Sequence, residues 1–177
     1  MNTTRSWLLF LFVLACAAAF LNATGDGLPP RVGAHFAASG AADGFAPRDA
    51  YMRFILTFTV GFPALVVTLM WFAFTRSRAA FNLPNRDYWL AGDRRRYTVA
   101  YLVTRAHGFG CLLTAFLCYV HWLVVNANAV QPPRLDSGRM VTGLVIFFVA
   151  TLFWLSGVWR RFRRTDDPRA SGSRRAW

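Results

Sequence analysis

The sequence predicts an all-α, polytopic membrane protein with four transmembrane helices and a small extracytoplasmic loop domain after the first helix. Two observations support this fold class. Of the 177 residues, 55% are apolar and the mean hydropathy is +0.33, which is unusual for a soluble domain. The apolar residues also fall into four runs long enough, or nearly so, to cross the roughly 30 Å hydrocarbon core of a bilayer.

The positions of the arginines predict the orientation of these helices. The net charge is +12, and every basic residue is Arg. Seven arginines lie between residues 75 and 106 and seven between residues 160 and 175, whereas the other two connections together contain five. Because cytoplasmic loops carry the excess of basic residues, both Arg-rich segments and both termini are expected in the cytoplasm. The charge therefore predicts topology, and no nucleic-acid partner is expected.

Arginines beside the spans also predict contacts with lipid. The cytoplasmic leaflet of a membrane carries anionic headgroups, which attract basic residues near the ends of transmembrane helices. The candidate headgroup-binding residues are Arg94, Arg95, Arg96, Arg160, Arg161, Arg163 and Arg164.

Residues 1–22 are predicted to form the first transmembrane helix and to remain as an uncleaved anchor. The apolar run at residues 7–21 follows a single cation, Arg5, and has the length of either a short span or a signal-peptide core. Cleavage requires small residues before the cut, and Leu21-Asn22-Ala23 is a poor match. The alternative, a cleaved signal peptide, leaves three helices in the same orientation.

Residues 23–53 are predicted to form a compact extracytoplasmic hairpin. Pro29-Pro30 favours an extended start, while Gly40 and Asp43-Gly44 predict two turns around the strand-like pair His35-Phe36. His35 near Asp43 also allows a metal or ligand site, although one His and one Asp are too few to close such a site.

The third helix is the least regular of the remaining spans. Arg105 and His107 interrupt its apolar run, so either one long helix begins near Tyr97 or an interfacial helix turns at residues 108–110. We expect one long helix.

In the second span, Pro63 predicts a kink. The predicted segments after the hairpin are the second helix (54–74), a cytoplasmic interfacial loop (75–98), the third helix (99–126), an extracytoplasmic loop (127–140), the fourth helix (141–159) and a disordered, basic cytoplasmic tail (160–177).

Part of the hairpin resembles a known family. The resemblance is carried by Leu28-Pro29, Val32, His35-Phe36, Gly40, Asp43-Gly44 and Arg48. This order resembles the signature of the bacterial domain of unknown function 1648, which is shared with SdpI-type immunity proteins. The family more often has Ser-Lys where this chain has Pro47-Arg48, and SdpI-type proteins have more than four spans. The resemblance implies a bacterial membrane protein and leaves its activity open.

A second stretch, in the cytoplasmic loop, resembles stand-alone members of the same group. Its sequence is a turn signature followed by two aromatic residues that suit the headgroup layer. The residues that carry this second resemblance are Asn82, Leu83, Pro84, Tyr88 and Trp89.

One face of the third helix carries a stripe of polarizable residues. Its members are His107, Cys111, Thr114, Cys118 and His121, all within an arc of about 80°. The stripe predicts a packing seam between helices. Two alternatives remain: the histidines, about 21 Å apart, resemble axial ligands of two stacked haems, and His107 with Cys111 has the spacing of a soft-metal pair. Both need further ligands from a partner.

These observations predict a non-enzymatic protein without a cofactor. No span carries a carboxylate, and neither a Ser-His-Asp order nor a Gly-rich phosphate loop occurs. We expect an accessory, sensing or immunity-like role through contacts with another membrane protein or a second copy of this chain. The alternative is a redox, metal-binding or haem-binding subunit that uses the stripe. A small transporter is disfavoured because no inverted repeat is visible.

Overall fold

The computed structural model describes residues 2–76 and 83–163, and this part of the chain is mostly helical. Its elements in chain order are α1 (Thr3–Gly25), β1 (Arg31–Phe36), β2 (Ala42–Pro47), α2 (Arg48–Arg76), α3 (Arg86–Trp89), α4 (Arg94–Asn128) and α5 (Ser137–Arg163). Four of the described helices, α1, α2, α4 and α5, are long and apolar enough to cross a membrane. The prediction of a multi-pass helical protein is confirmed to that extent.

The helices extend beyond the apolar runs of the sequence. Helix α4 has 35 residues and continues through residues 108–110, so the alternative of a turn at that point is wrong. At 1.5 Å per residue this helix is about 52 Å long, which exceeds the roughly 30 Å thickness of a hydrocarbon core. Helix α2 contains Pro63 and is continuous from Arg48 to Arg76. The apolar runs therefore located the helices but not their ends.

Helices α1, α2 and α4 form the core of the molecule. Phe10 and Leu14 of α1 pack with Val67 of α2 at one end. Gly110 of α4 permits this packing, because a Cβ there would lie 2.5 Å from Val67 Cγ2 and 2.7 Å from the Phe10 ring. Near the other end, a larger apolar cluster joins the same three helices to the start of β1 through Leu21, Leu28, Val32, Tyr51, Ile55 and Val124.

Helix α5 lies beside this core and packs mainly on α4. No residue of its most apolar stretch is buried within the protein. Its central contact is a stacked pair, Phe116 and Phe147, with ring centroids 4.5 Å apart. Its last turn is different, because Phe162 is fully buried against Leu102 of α4. Among the described residues, most of α5 therefore has one protein neighbour, and its other faces are exposed.

The two strands form an antiparallel hairpin at the end of the bundle where α1 ends and α2 begins. The connection between α4 and α5 lies beside it, since Leu135 N donates to Gly40 O at 2.8 Å and Ala42 N donates to Pro133 O at 3.2 Å. Gly40 has a φ of +85°, which explains the glycine at the turn. The second predicted turn, at Asp43-Gly44, is wrong: both residues lie in β2.

Candidate functional site

Four buried polar residues follow one another along the inner face of α4 at intervals of seven. They are His107, Thr114, His121 and Asn128. Seven residues make almost two turns, so the side chains lie on one face about 10.5 Å apart. The predicted stripe does face the helix interface. We call these four residues the polar ladder.

His107 connects α4 to the beginning of α1. Its Nδ1 lies 2.8 Å from Ser6 Oγ, and the Ser6 hydroxyl donates to Thr3 O at 2.8 Å. Because a hydroxyl has one proton, the imidazole Nδ1–H donates to Ser6, and Nε2 of the neutral ring is left as an acceptor. Nε2 is buried without a hydrogen-bond partner. The Trp7 ring covers the imidazole at a centroid distance of 4.4 Å.

His121 joins three helices and uses both ring nitrogens. Its Nε2 lies 2.9 Å from Thr24 Oγ1 of α1, and its Nδ1 lies 2.9 Å from the hydroxyl of Tyr51 of α2. Thr24 donates its own proton to Phe20 O at 2.8 Å, so His121 Nε2–H donates to Thr24 and the Tyr51 hydroxyl donates to Nδ1. In this arrangement His121 has no lone pair free for a metal or a haem iron.

The two cysteines of the stripe lie beside the ladder. Cys111 packs against the Phe10, Leu14 and Val67 cluster, and Cys118 packs against the cluster around Leu21. Both are free thiols. Within the described ranges, no group of three or more His, Cys, Asp or Glu side chains is arranged to hold a metal ion. The structure therefore brings the stripe residues to one interface without building a set of ligands.

Asn128, the last residue of the ladder, clamps the hairpin onto the bundle. Its side-chain oxygen accepts from Gly33 N at 2.7 Å, while its amide donates to Gly33 O at 3.0 Å and to Val124 O at 2.9 Å. Gly33 lies in β1, so this one amide satisfies both polar groups of its backbone. The hairpin is consequently fixed to α4 rather than tethered only by its two ends.

The exposed face of the hairpin carries the predicted His–Asp pair. His35 Nδ1 lies 2.5 Å from Asp43 Oδ1, and the two side chains are 77% and 49% exposed. Gly44 is needed for this contact, because a Cβ there would lie 2.8 Å from His35 Cβ. The glycine therefore permits the close approach of two strands, and it does not form a turn. The neighbouring family-motif residue Phe36 packs against the buried cluster around Leu21.

The second predicted motif, around residues 82–89, packs against its own chain. Leu83, Trp89 and Leu90 cover the buried Phe162 and Leu102. Trp89 Nε1 and Asn85 Nδ2 both donate to Phe162 O, each at 3.1 Å. These bonds cap the last turn of α5, whose carbonyls have no partners within the helix. Pro84 lies in the turn before α3 and Tyr88 lies within α3, whereas Asn82 is outside the described residues.

The predicted headgroup-binding arginines lie at the end of the bundle opposite the hairpin. Arg94 donates to Tyr88 O at 2.8 Å and stacks on the Tyr88 ring, while Arg95 donates to Thr75 O at 3.2 Å. Within residues 2–76 and 83–163, none of these arginines forms an ion pair. The other members with described positions are Arg96 in the first turn of α4 and Arg160, Arg161 and Arg163 in the last turn of α5, and Arg164 lies outside the described residues.

The four long apolar helices suggest a multi-pass membrane protein. No protein-family model, curated protein or solved structure matches the chain. The assignment of function therefore depends on the geometry of the described residues.

Several residues of the ladder network were not singled out from the sequence. Ser6, Thr24 and Tyr51 are the partners of the histidines, and Asn128 is the hairpin clamp. Seven-residue spacing from His107 reaches Asn128, so this signal was present in the sequence. The partners lie on other helices, and no spacing along one helix reveals them.

Proposed function

We propose that this chain is a non-enzymatic accessory protein of the bacterial inner membrane, with a sensing or immunity-like role exerted through a partner. The observation that carries the proposal is the hairpin, which is clamped by Asn128 and presents the exposed His35–Asp43 pair. A rigid element with an exposed polar face binds a partner without a large entropic cost of ordering.

The polar groups within the spans support the non-enzymatic part of the proposal. The ring of His121 and one nitrogen of His107 form hydrogen bonds between helices. Such bonds join helices in lipid, where few other partners are available.

The charge distribution supports cytoplasmic termini. The described arginines of α4 and α5 and the capped end of α5 share one end of the bundle, and the hairpin occupies the other end. By the positive-inside rule, the Arg-rich end is cytoplasmic and the hairpin is outside. Reporter fusions at Ala41 and Gly172 test this orientation: we expect an outside signal at Ala41 and an inside signal at Gly172, and an outside signal at Gly172 contradicts it.

Site-specific photo-crosslinking in bacterial cells tests the hairpin as the binding element. A photoreactive residue at exposed Ser39 is expected to give one discrete adduct with a partner or a second copy, whereas the same residue at lipid-facing Leu152 is expected to give none. His35→Ala should remove the Ser39 adduct. Asp136→Asn breaks the other exposed ion pair at this end and should leave the adduct intact. No adduct at Ser39, or equal adducts at both positions, contradicts the proposal.

A second candidate function is favoured by one observation, the buried and unpartnered Nε2 of His107. An imidazole whose Nδ1–H is fixed by Ser6 presents Nε2 in the form that binds a haem iron or a transition metal. We propose this redox or metal-binding role as the alternative. A visible spectrum and metal analysis of the purified protein test it: His107→Leu should abolish a cofactor signal that His121→Leu retains. A wild-type protein without such a signal contradicts the alternative.

A further inference from the structure

A cavity of about 530 Å³ lies between α4 and α5 near the Arg-rich end of the bundle. Two helices contribute to it, and half of its lining residues are cationic. The residues that line it are Arg105, Phe153, Trp154, Gly157, Arg160 and Arg161. Arg105 was not among the predicted headgroup-binding residues, since it lies within the third apolar run.

Neutral partners hold these three arginines in place. The guanidinium carbons of Arg161 and Arg105 lie 4.2 Å and 5.1 Å from the centre of the Tyr101 ring, and Arg105 Nε donates to the Tyr101 hydroxyl at 3.0 Å. Arg160 donates to Ser156 Oγ at 3.2 Å. In the part of the chain that the structure describes, both ion pairs lie at the other end, so three positive charges share one cavity without a carboxylate.

Arg105 lies deeper in the bundle than the other two arginines. The Arg105 carbonyl accepts a hydrogen bond from Trp154 Nε1 at 3.1 Å, so the Arg105 backbone lies at the level of Trp154. Trp154 comes six residues before Arg160 on α5. Six residues of helix correspond to about 9 Å. A guanidinium below the headgroup level is costly unless it reaches the interface or meets an anion. A bound anion in the cavity therefore offsets the cost of placing the Arg105 guanidinium below the headgroups. It also reduces the repulsion among the three positive charges.

The walls of the cavity identify the kind of anion. Phe153 is 74% exposed and lies on the apolar surface of α5, beside Trp154. A free phosphate gains nothing from such a surface, whereas a lipid places its phosphate among the arginines and its acyl chain along the helix. We propose that this cavity binds the headgroup of an anionic phospholipid and prefers a headgroup with two phosphates, as in cardiolipin. The inference concerns a site that the proposed partner-binding role does not require.

Lipid titration of the delipidated full chain in mild detergent, followed by native mass spectrometry, tests the proposal. The site variant combines Arg105→Gln, Arg160→Gln and Arg161→Gln. The control variant combines Arg48→Gln, Arg53→Gln and Arg134→Gln, which removes the same charge from exposed arginines at the hairpin end of the bundle. Each arginine near an anionic surface contributes about fivefold to binding, so the site variant should retain cardiolipin about a hundredfold more weakly. The control variant should bind within about twofold of the wild-type chain, a difference of less than 1 kcal/mol.

Three further binding measurements on the wild-type chain identify the class of ligand. Phosphatidylglycerol should bind more weakly than cardiolipin, and phosphatidylcholine should not bind. Excess inorganic phosphate should leave cardiolipin bound, and displacement by phosphate alone overturns the choice of a lipid. Equal losses in the site and control variants overturn the site, because they indicate diffuse attraction. If the triple site variant fails to fold, Arg105→Gln against Arg134→Gln gives the same comparison, with an expected loss of about fivefold for Arg105→Gln alone.

Discussion

The contacts that hold α1, α2 and α4 together in the core differ from the contacts that hold α5 to the core. Within the core, His121 forms hydrogen bonds to α1 and α2, and Gly110 lets three helices meet without a side chain between them. Helix α5 packs mainly on α4 through stacked rings, and its last turn is capped by Asn85 and Trp89 at α3. In lipid, apolar side chains gain little by leaving one apolar surface for another. Polar bonds and close packing therefore join three helices in the core, whereas most of α5 makes such contacts with α4 alone.

The largest effect is expected when the close contact of the core is filled. In Gly110→Ala, the new methyl group meets Val67 and the Phe10 ring, and neither side chain can move away from a packed interface. Overpacking of this kind costs about 1–3 kcal/mol. We expect a lower free energy of unfolding in a detergent titration, with faster hydrogen exchange in α1, α2 and α4.

Gly108→Ala is the matched control for this substitution. Gly108 lies in the same helix, and a Cβ there has no heavy atom within 4 Å. Replacement of a helical glycine by alanine at such a position is neutral or stabilises by up to about 1 kcal/mol. If Gly108→Ala destabilises the protein as much as Gly110→Ala, the effect does not come from a close contact of three helices at Gly110, and the prediction is wrong.

A smaller effect is expected from removal of the histidine bonds. His121→Leu leaves the Tyr51 and Thr24 hydroxyls without their imidazole partner, and interhelical bonds in membranes average about 0.6 kcal/mol with values up to about 1.7 kcal/mol. We expect a loss of about 1–2 kcal/mol for the two bonds together. His107→Leu should cost less, because it removes one bond and also a buried nitrogen that has no partner. A greater loss for His107→Leu than for His121→Leu in the same unfolding titration contradicts the assigned bonds.

The sequence was sufficient to predict the helices, and also to predict that the stripe on α4 faces other helices, for a simple physical reason. Lipid requires long apolar runs, and polar residues within them turn towards other helices. The positions of His107 and His121 on α4 were therefore sufficient to place both of them at an interface. The hairpin was also predictable in outline, since Gly40 and the proline pair restrict the backbone locally.

Features that depend on two helices at once were not predictable. Ser6 and Trp7 lie about a hundred residues before His107, and nothing in the local pattern of α1 indicates which side chain they meet. The role of Gly44 was misread for the same reason, because its absent side chain makes room for His35 on the other strand. The cavity at Arg105 likewise depends on how α5 lies against α4.

The smallest effect is expected where α5 meets α4. A Cβ at Gly143 would overlap the Tyr119 ring, whose hydroxyl donates to Arg139 O at 2.7 Å. In Gly143→Ala the ring must move and that bond is lost, yet α5 can shift because it has no second protein neighbour along most of its length. We expect a loss of about 1 kcal/mol, at the lower end of the range for overpacking. Faster hydrogen exchange should be confined to residues 137–163.

Gly157→Ala, also in α5 and open to its surroundings, should leave exchange unchanged. If Gly143→Ala instead accelerates exchange in α1 and α2, then α5 is coupled to the core as tightly as the core helices are to one another.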